Sequence, residues 1–183
     1  MTQTRAALRE ARRESLYCFV EQKRRSYGLS AADIPADPFE LAAREGGALV
    51  IEYRAYERRG LGGALFKGPV SLITLNDRRG PEETRFSLAH ELMHYWLDRD
   101  GAPVSGAFSE WRANEGAAEL LVPRAALLPL ARGHAMAMHR GRARDLEHDL
   151  PWLTATAALF GVTEAVVRYR VRGMRGTLAP LGL

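Results

Sequence analysis

Cysteine is almost missing from this chain: Cys18 is the only one among 183 residues. No internal disulfide can form, which excludes the disulfide-framed secreted folds and favours an intracellular setting. Cys18 stands among Leu16, Tyr17, Phe19 and Val20 and is expected to be a small core residue. Long apolar runs are missing as well, and no segment approaches the length of a membrane-spanning helix. The first residues are too charged for a secretory leader, so cytoplasmic residence is the expectation. The glycines at 60, 62 and 63 lack the Gly-Lys-Ser/Thr ending of a phosphate loop, and Lys67 precedes Gly68, so they read as a hairpin turn. Strong charge of one sign is also absent, because the net charge is only +4. Arginines cluster near the N-terminus and again at Arg140, Arg142, Arg144, Arg168, Arg170 and Arg172. Glu10, Glu14 and Glu21 dilute the first cluster, and solvated helix faces explain such patterns more often than phosphate binding does.

The chain is long enough for one domain with a substantial core, over residues 1–183. Residues 4–27 read as an amphipathic helix with Leu8, Leu16, Phe19, Val20 and Tyr27 on one side, stopped by Gly28. A short helix is expected near 38–45. Strands follow at 48–53, 63–67 and 69–76. Residues 124–150 are mainly helical. Residues 152–172 read as two short helices around Gly161. They form either an αα-hairpin over the core, the favoured reading, or the turn of a helix-turn-helix.

The informative segment is Arg85–Leu97, which contains His90-Glu91-Leu92-Met93-His94. Four residues is just over one helical turn, so both imidazoles project from one face and can share a metal ion. Glu91 stands beside them as a base for a metal-bound water. Phe86, Leu88, Ala89, Leu92, Trp96 and Leu97 mark the helix as buried, and histidines on a buried helix need partners.

A third ligand has to come from elsewhere. The segment Ser109–Pro123 reads as a second helix, with Ser109 as N-cap and Pro123 ending it. Glu110 and Asn114 share a face, so one can ligate while the other holds a histidine from behind. Glu119 lies about half a turn out of phase and is expected to be solvated. Glu115 is not excluded by periodicity.

At these residues the chain resembles the ImmA/IrrE family of metallo-endopeptidases. The family pairs a His-Glu-x-x-His helix with a downstream Glu-x-x-Ala-Asn/Asp-x-x-Ala-Ala-x-Leu-Leu-x-Pro helix, which here runs from Glu110 to Pro123. Asp37–Ala42, Ile73–Asn76 and Phe86–Ala89 resemble the lead-in, and Phe160–Thr163 gives a weaker echo. Met93 stands where glycine is frequent, and Gly116 stands where an aromatic is frequent. The resemblance implies an α+β, zincin-like fold of the gluzincin type. It has a small mixed β-sheet, a motif helix, a second ligand helix and a helical C-terminal part. Residues 1–36 would form an N-terminal helical segment, 37–123 the catalytic core and 124–183 the helical remainder. It implies one Zn²⁺ on His90, His94 and Glu110, Asn114 behind them, and Glu91 as catalytic acid/base. It also implies a helix-turn-helix repressor or antitoxin-like protein as substrate.

A further oxyanion donor is wanted for such chemistry, and Tyr95, His134, His139 and His148 are the candidates. The strand near 70–76 is expected to offer its edge to an extended substrate. Two other readings compete. One is a binding protein that holds its partner without cutting it, around a structural metal. The other is a DNA-binding module built on residues 152–172 and the arginines.

Overall fold

A computed structural model describes residues 2–57, 60–100, 104–137 and 146–174. The element order is α1 (Thr2–Ser26), α2 (Pro38–Ala43), β1 (Leu49–Arg54), β2 (Gly63–Phe66), β3 (Ser71–Asn76), α3 (Pro81–Asp100), α4 (Ala107–Leu121), α5 (Arg124–Ala137), α6 (Leu150–Phe160) and α7 (Glu164–Gly173). The fold is mostly helical α+β with a small mixed sheet, and no single helix among the described residues is long and apolar enough to cross a membrane.

Local chemistry sets the boundaries. Asp37 caps α2 by accepting from the Phe39 amide at 3.0 Å, with Pro38 in the first turn where its missing N–H costs nothing. Asp149 caps α6 from the Trp152 amide at 3.2 Å. Gly161 ends that helix at φ 62°, a left-handed conformation that glycine takes without penalty. The axes of α6 and α7 then differ by 103°.

The sheet has the order β1-β3-β2. β3 is central, parallel to β1 and antiparallel to β2. An edge role for residues 70–76 is therefore corrected: β3 is paired on both sides, and the edge beside α3 belongs to β2. Ile73 and Leu75 are fully buried and join the core with Leu88, Leu92 and Trp96 of α3 and Ala117, Leu120 and Leu121 of α4.

β2 runs alongside α3. A side chain at Gly62 would run into Ser87, and one at Gly63 would come within 2.8 Å of the Thr74 carbonyl and 3.4 Å of Glu91 Cγ. At the other end Lys67 pairs with Asp98. The five residue steps of extended chain from 62 to 67 span about 17 Å, and the eleven helical steps from 87 to 98 about 16 Å. Strand and helix are thus matched in length and direction, with His90, Glu91 and His94 between the two ends.

Several expectations change. On α1 the buried face is Leu16, Tyr17, Val20 and Arg24, whereas Leu8 is exposed. Cys18 is also exposed, because it lies off that face. Glu119 is buried: its Oε2 accepts from Arg170, and its Oε1 accepts from the Arg124 amide at 3.0 Å. The helical phase pointed Glu119 away from Glu110 correctly, but the far side of α4 is covered by α1 and α7 and not by water.

Candidate metal centre

Two helices build the site. On α3, His90 and His94 stand one turn apart, with their Nε2 atoms 3.1 Å from each other. On α4, the Glu110 carboxylate faces both: Oε2 is 3.4 Å from His90 Nε2 and Oε1 is 3.4 Å from His94 Nε2. One ligand atom from each residue gives a cluster in which all lie within 4.8 Å. Tetrahedral zinc with bonds of about 2.0–2.1 Å separates its donors by about 3.3–3.4 Å. The spacing of these three groups suits three corners of such a site, and all three residues line one cavity.

The imidazoles are oriented from behind. His90 Nδ1–H donates to Asn114 Oδ1 at 3.1 Å, which leaves the Nε2 lone pair facing the cluster. His94 Nδ1 lies 3.3 Å from Ser109 Oγ. Ser109 is thus inside the first turn of α4, and the N-cap position belongs to Gly106. Burial lowers the pKa of His90, helped by the charge of His94 close by, and burial also lowers that of His94. Both rings are neutral near pH 7, the form that binds a metal. Two neutral nitrogens and a carboxylate converging on one point fit a divalent cation.

Glu91 is buried on the same helix. Burial first, and the charge of Glu110 second, raise its carboxyl to about 7, against a hydrogen bond from the Leu65 backbone. A bound cation would pull this value down again. The Leu65 contact follows from strand parity. The Asn76 amide donates to the Gly62 carbonyl at 2.8 Å, so residues 62 and 64 bond β3 while 63 and 65 turn their main chain outward.

A cavity of about 910 Å³ opens above the cluster, with Gly60–Leu65, Phe86, His90, Glu91, His94, Glu110 and Tyr169 in its walls. Of the expected oxyanion donors, the three among the described residues are not in these walls. Tyr95 is buried and receives a bond from Arg99 at 3.1 Å. His134 pairs with Asp149 at 2.9 Å and stacks on Trp152, and His148 is exposed away from the cavity. His139 lies outside the described residues. Tyr169, Ser109 and the Leu65 amide were missed by sequence reading. Ser109 adjoins Glu110 and had a helical-phase signal; the other two approach only through tertiary packing.

Glu115, left open as a ligand, belongs to a buried polar network. It accepts from Tyr17, from Tyr169 at 2.7 Å and from Arg13 at 3.1 Å, with Arg170 at 3.5 Å. The arginines of α7 are committed elsewhere than to a free basic face. Arg170 is fully buried, Arg168 donates to the Glu147 carbonyl at 3.0 Å, and Arg172 pairs with Glu147 at 3.3 Å.

A helix-borne His/His/Glu cluster with a buried acid under an edge strand is consistent with a zincin-like metal site on an α+β fold. A family model, the IrrE N-terminal-like domain of the M78 peptidases, matches residues 49–172. The chain belongs to this family and is a metallopeptidase. The match takes in the C-terminal helices and leaves out the Asp37–Ala42 lead-in. No curated protein matches the chain.

Proposed function

We propose that this protein is a zinc-dependent endopeptidase of gluzincin type that cuts a separate helix-turn-helix repressor or antitoxin-like protein in the cytoplasm. His90, His94 and Glu110 would hold the zinc, with Asn114 fixing the His90 ring. Zinc bound there lowers the pKa of a water and polarises a carbonyl. The residues of the chain supply the rest. The outward main chain of Gly63 and the outward carbonyl of Leu65, whose amide is taken by Glu91, pair with an extended substrate segment and set its backbone beside Glu91. Glu91 accepts the proton of the attacking water and hands it to the leaving amine as the C–N bond breaks.

The observation that carries this reading is the place of Glu91: buried, under the edge strand, and on the same helix as two ligand histidines. A closed structural metal site needs no such acid. The repressor substrate rests on the family resemblance. The test incubates the zinc-loaded protein with a small helix-turn-helix protein encoded beside it. The wild type should cut that partner. Glu91→Gln should keep its zinc and lose cleavage by about a thousandfold. A variant that retains turnover removes Glu91 from the mechanism, and a wild type that binds without cutting replaces the peptidase reading with a holding one.

A further inference from the structure

The cleft is not the same at its two ends. The register of β2 on α3 defines them: Gly62 abuts Ser87, and Lys67 pairs with Asp98, one turn beyond His94. At the Lys67 end the cavity is lined by Ser105, Gly106 and Ser109, with Leu65 and Val104 the apolar exceptions. At the other end stand Leu61, Phe86, Ala165, Val166 and Tyr169, with Ser87 and Thr163 the uncharged polar exceptions.

Two hydrogen bonds bring α7 to this second end. Arg85, the neighbour of Phe86, donates from Nε to the Gly161 carbonyl at 2.9 Å and from Nη2 to the Ala36 carbonyl at 2.5 Å. That fixes the turn between α6 and α7 against the first half of α3. Tyr169 donates to Glu115, the residue after Asn114, so its ring stands at the level of His90. Phe86 lies one turn before His90 on the same face of α3. Among the described residues that line this end, the charged ones, Arg79 and Glu83, are paired with each other at 3.0 Å.

We propose that the half of the cleft on the Phe86 side is an apolar specificity pocket. It takes a leucine-sized or aromatic side chain next to the scissile bond, whereas the Lys67 half takes a polar one. Leu61, Phe86 and Val166 supply the apolar walls, and Ala165 and the Tyr169 ring form the rim. Burying such a side chain there removes apolar surface on both partners from water. A charged side chain would lose its hydration and, among the described lining residues, meet charges already paired with each other. The pocket rests on the peptidase reading of the cleft, and it adds the class of residue that the enzyme selects.

Hydroxamates test this without turnover. Acetohydroxamate carries only the metal-binding head, isocaproyl hydroxamate adds a branched apolar tail, and aminocaproyl hydroxamate adds a cationic one. Titrated calorimetrically into the zinc-loaded protein, the isocaproyl probe should bind about tenfold or more tighter than acetohydroxamate, and the cationic probe should gain nothing. Ala165→Asp places a carboxylate on the rim at the start of α7, where a helix accepts an acid. It should reverse the order of the isocaproyl and aminocaproyl probes. Equal affinity of the three probes for the wild type, or binding of none, overturns the pocket. So does an Ala165→Asp variant that keeps the wild-type order while circular dichroism shows it folded. A protein that sorts the probes but cuts no partner would sink the peptidase reading and leave the pocket standing.

Discussion

The side chain of Met93 occupies the space over the Cα of Gly116. A Cβ built on Gly116 would meet Met93 Cε at 2.5 Å, Sδ at 3.1 Å and Cγ at 3.2 Å. Both positions depart from the family pattern, which favours glycine at the first and an aromatic at the second. Relative to that pattern, the two departures read as one exchange: Met93 on the motif helix fills the space that Gly116 leaves on the second helix, and the two helices meet in a filled interior.

This exchange predicts non-additive mutants. Met93→Ala should cost about 2–5 kcal/mol by opening a cavity. Gly116→Leu should cost about 1–3 kcal/mol by overpacking. The double variant should recover at least about 1 kcal/mol relative to the sum, as read by denaturant unfolding. Strict additivity would show that the two side chains do not share this space.

Zinc content should depend unequally on α4. Glu110→Ala removes a proposed ligand and should lower zinc affinity by orders of magnitude, whereas Asn114→Ala should lower it by about 10–100-fold. Competition with a chromogenic chelator measures both. Unchanged metal content in Glu110→Ala would move the third ligand to another residue.

Acid stability should report on Glu115. Burial pushes its carboxyl up, but hydrogen bonds from Tyr17 and Tyr169 and the charges of Arg13 and Arg170 outweigh burial and hold it below the usual glutamate value. A depressed carboxylate stabilises the fold fully above its unfolded pKa of about 4.3. That stabilisation fades as pH falls through the lower folded value. Melting temperatures between about pH 6 and pH 3 should drop steeply for the wild type and less steeply for Glu115→Gln. Parallel curves would mean that Glu115 does not titrate with folding.

The edge strand should tolerate no side chain at Gly63. Gly63→Val should push β2 off Thr74 and Glu91. We expect activity to fall more than zinc affinity, because the histidines and Glu110 stand on other elements. Equal losses in a metal titration and a cleavage assay would contradict this.

Much of the site was legible because it is local. The one-turn spacing of His90 and His94 needs nothing beyond helix geometry, and the phase relation of Glu110 to Asn114 is read the same way. What could not be read depends on which surface covers which. Glu119 and Cys18 show this in opposite directions. Helical phase pointed Glu119 away from Glu110, and apolar neighbours suggested a core place for Cys18, but only the packing of α1 and α7 on α4 makes Glu119 an interior residue, and only the orientation of α1 leaves Cys18 outside. The edge of the sheet was misplaced for a related reason: the order of strands is set by long-range pairing, and β3 is the most buried strand because it is paired on both sides, not because its sequence is the most apolar. Tyr169 reaches the cleft from the far end of the chain, and no local pattern announces it.

The family-matched stretch begins at Leu49, yet Tyr17 and Arg13 of α1 reach a buried acid on the helix that carries Glu110. Trimming the protein to that stretch would strand Glu115 without two of its neighbours, one residue away from the group that steadies His90. The opening helix is therefore part of the foundation beneath the metal-binding residues, and a minimal fragment of this enzyme has to start ahead of Arg13.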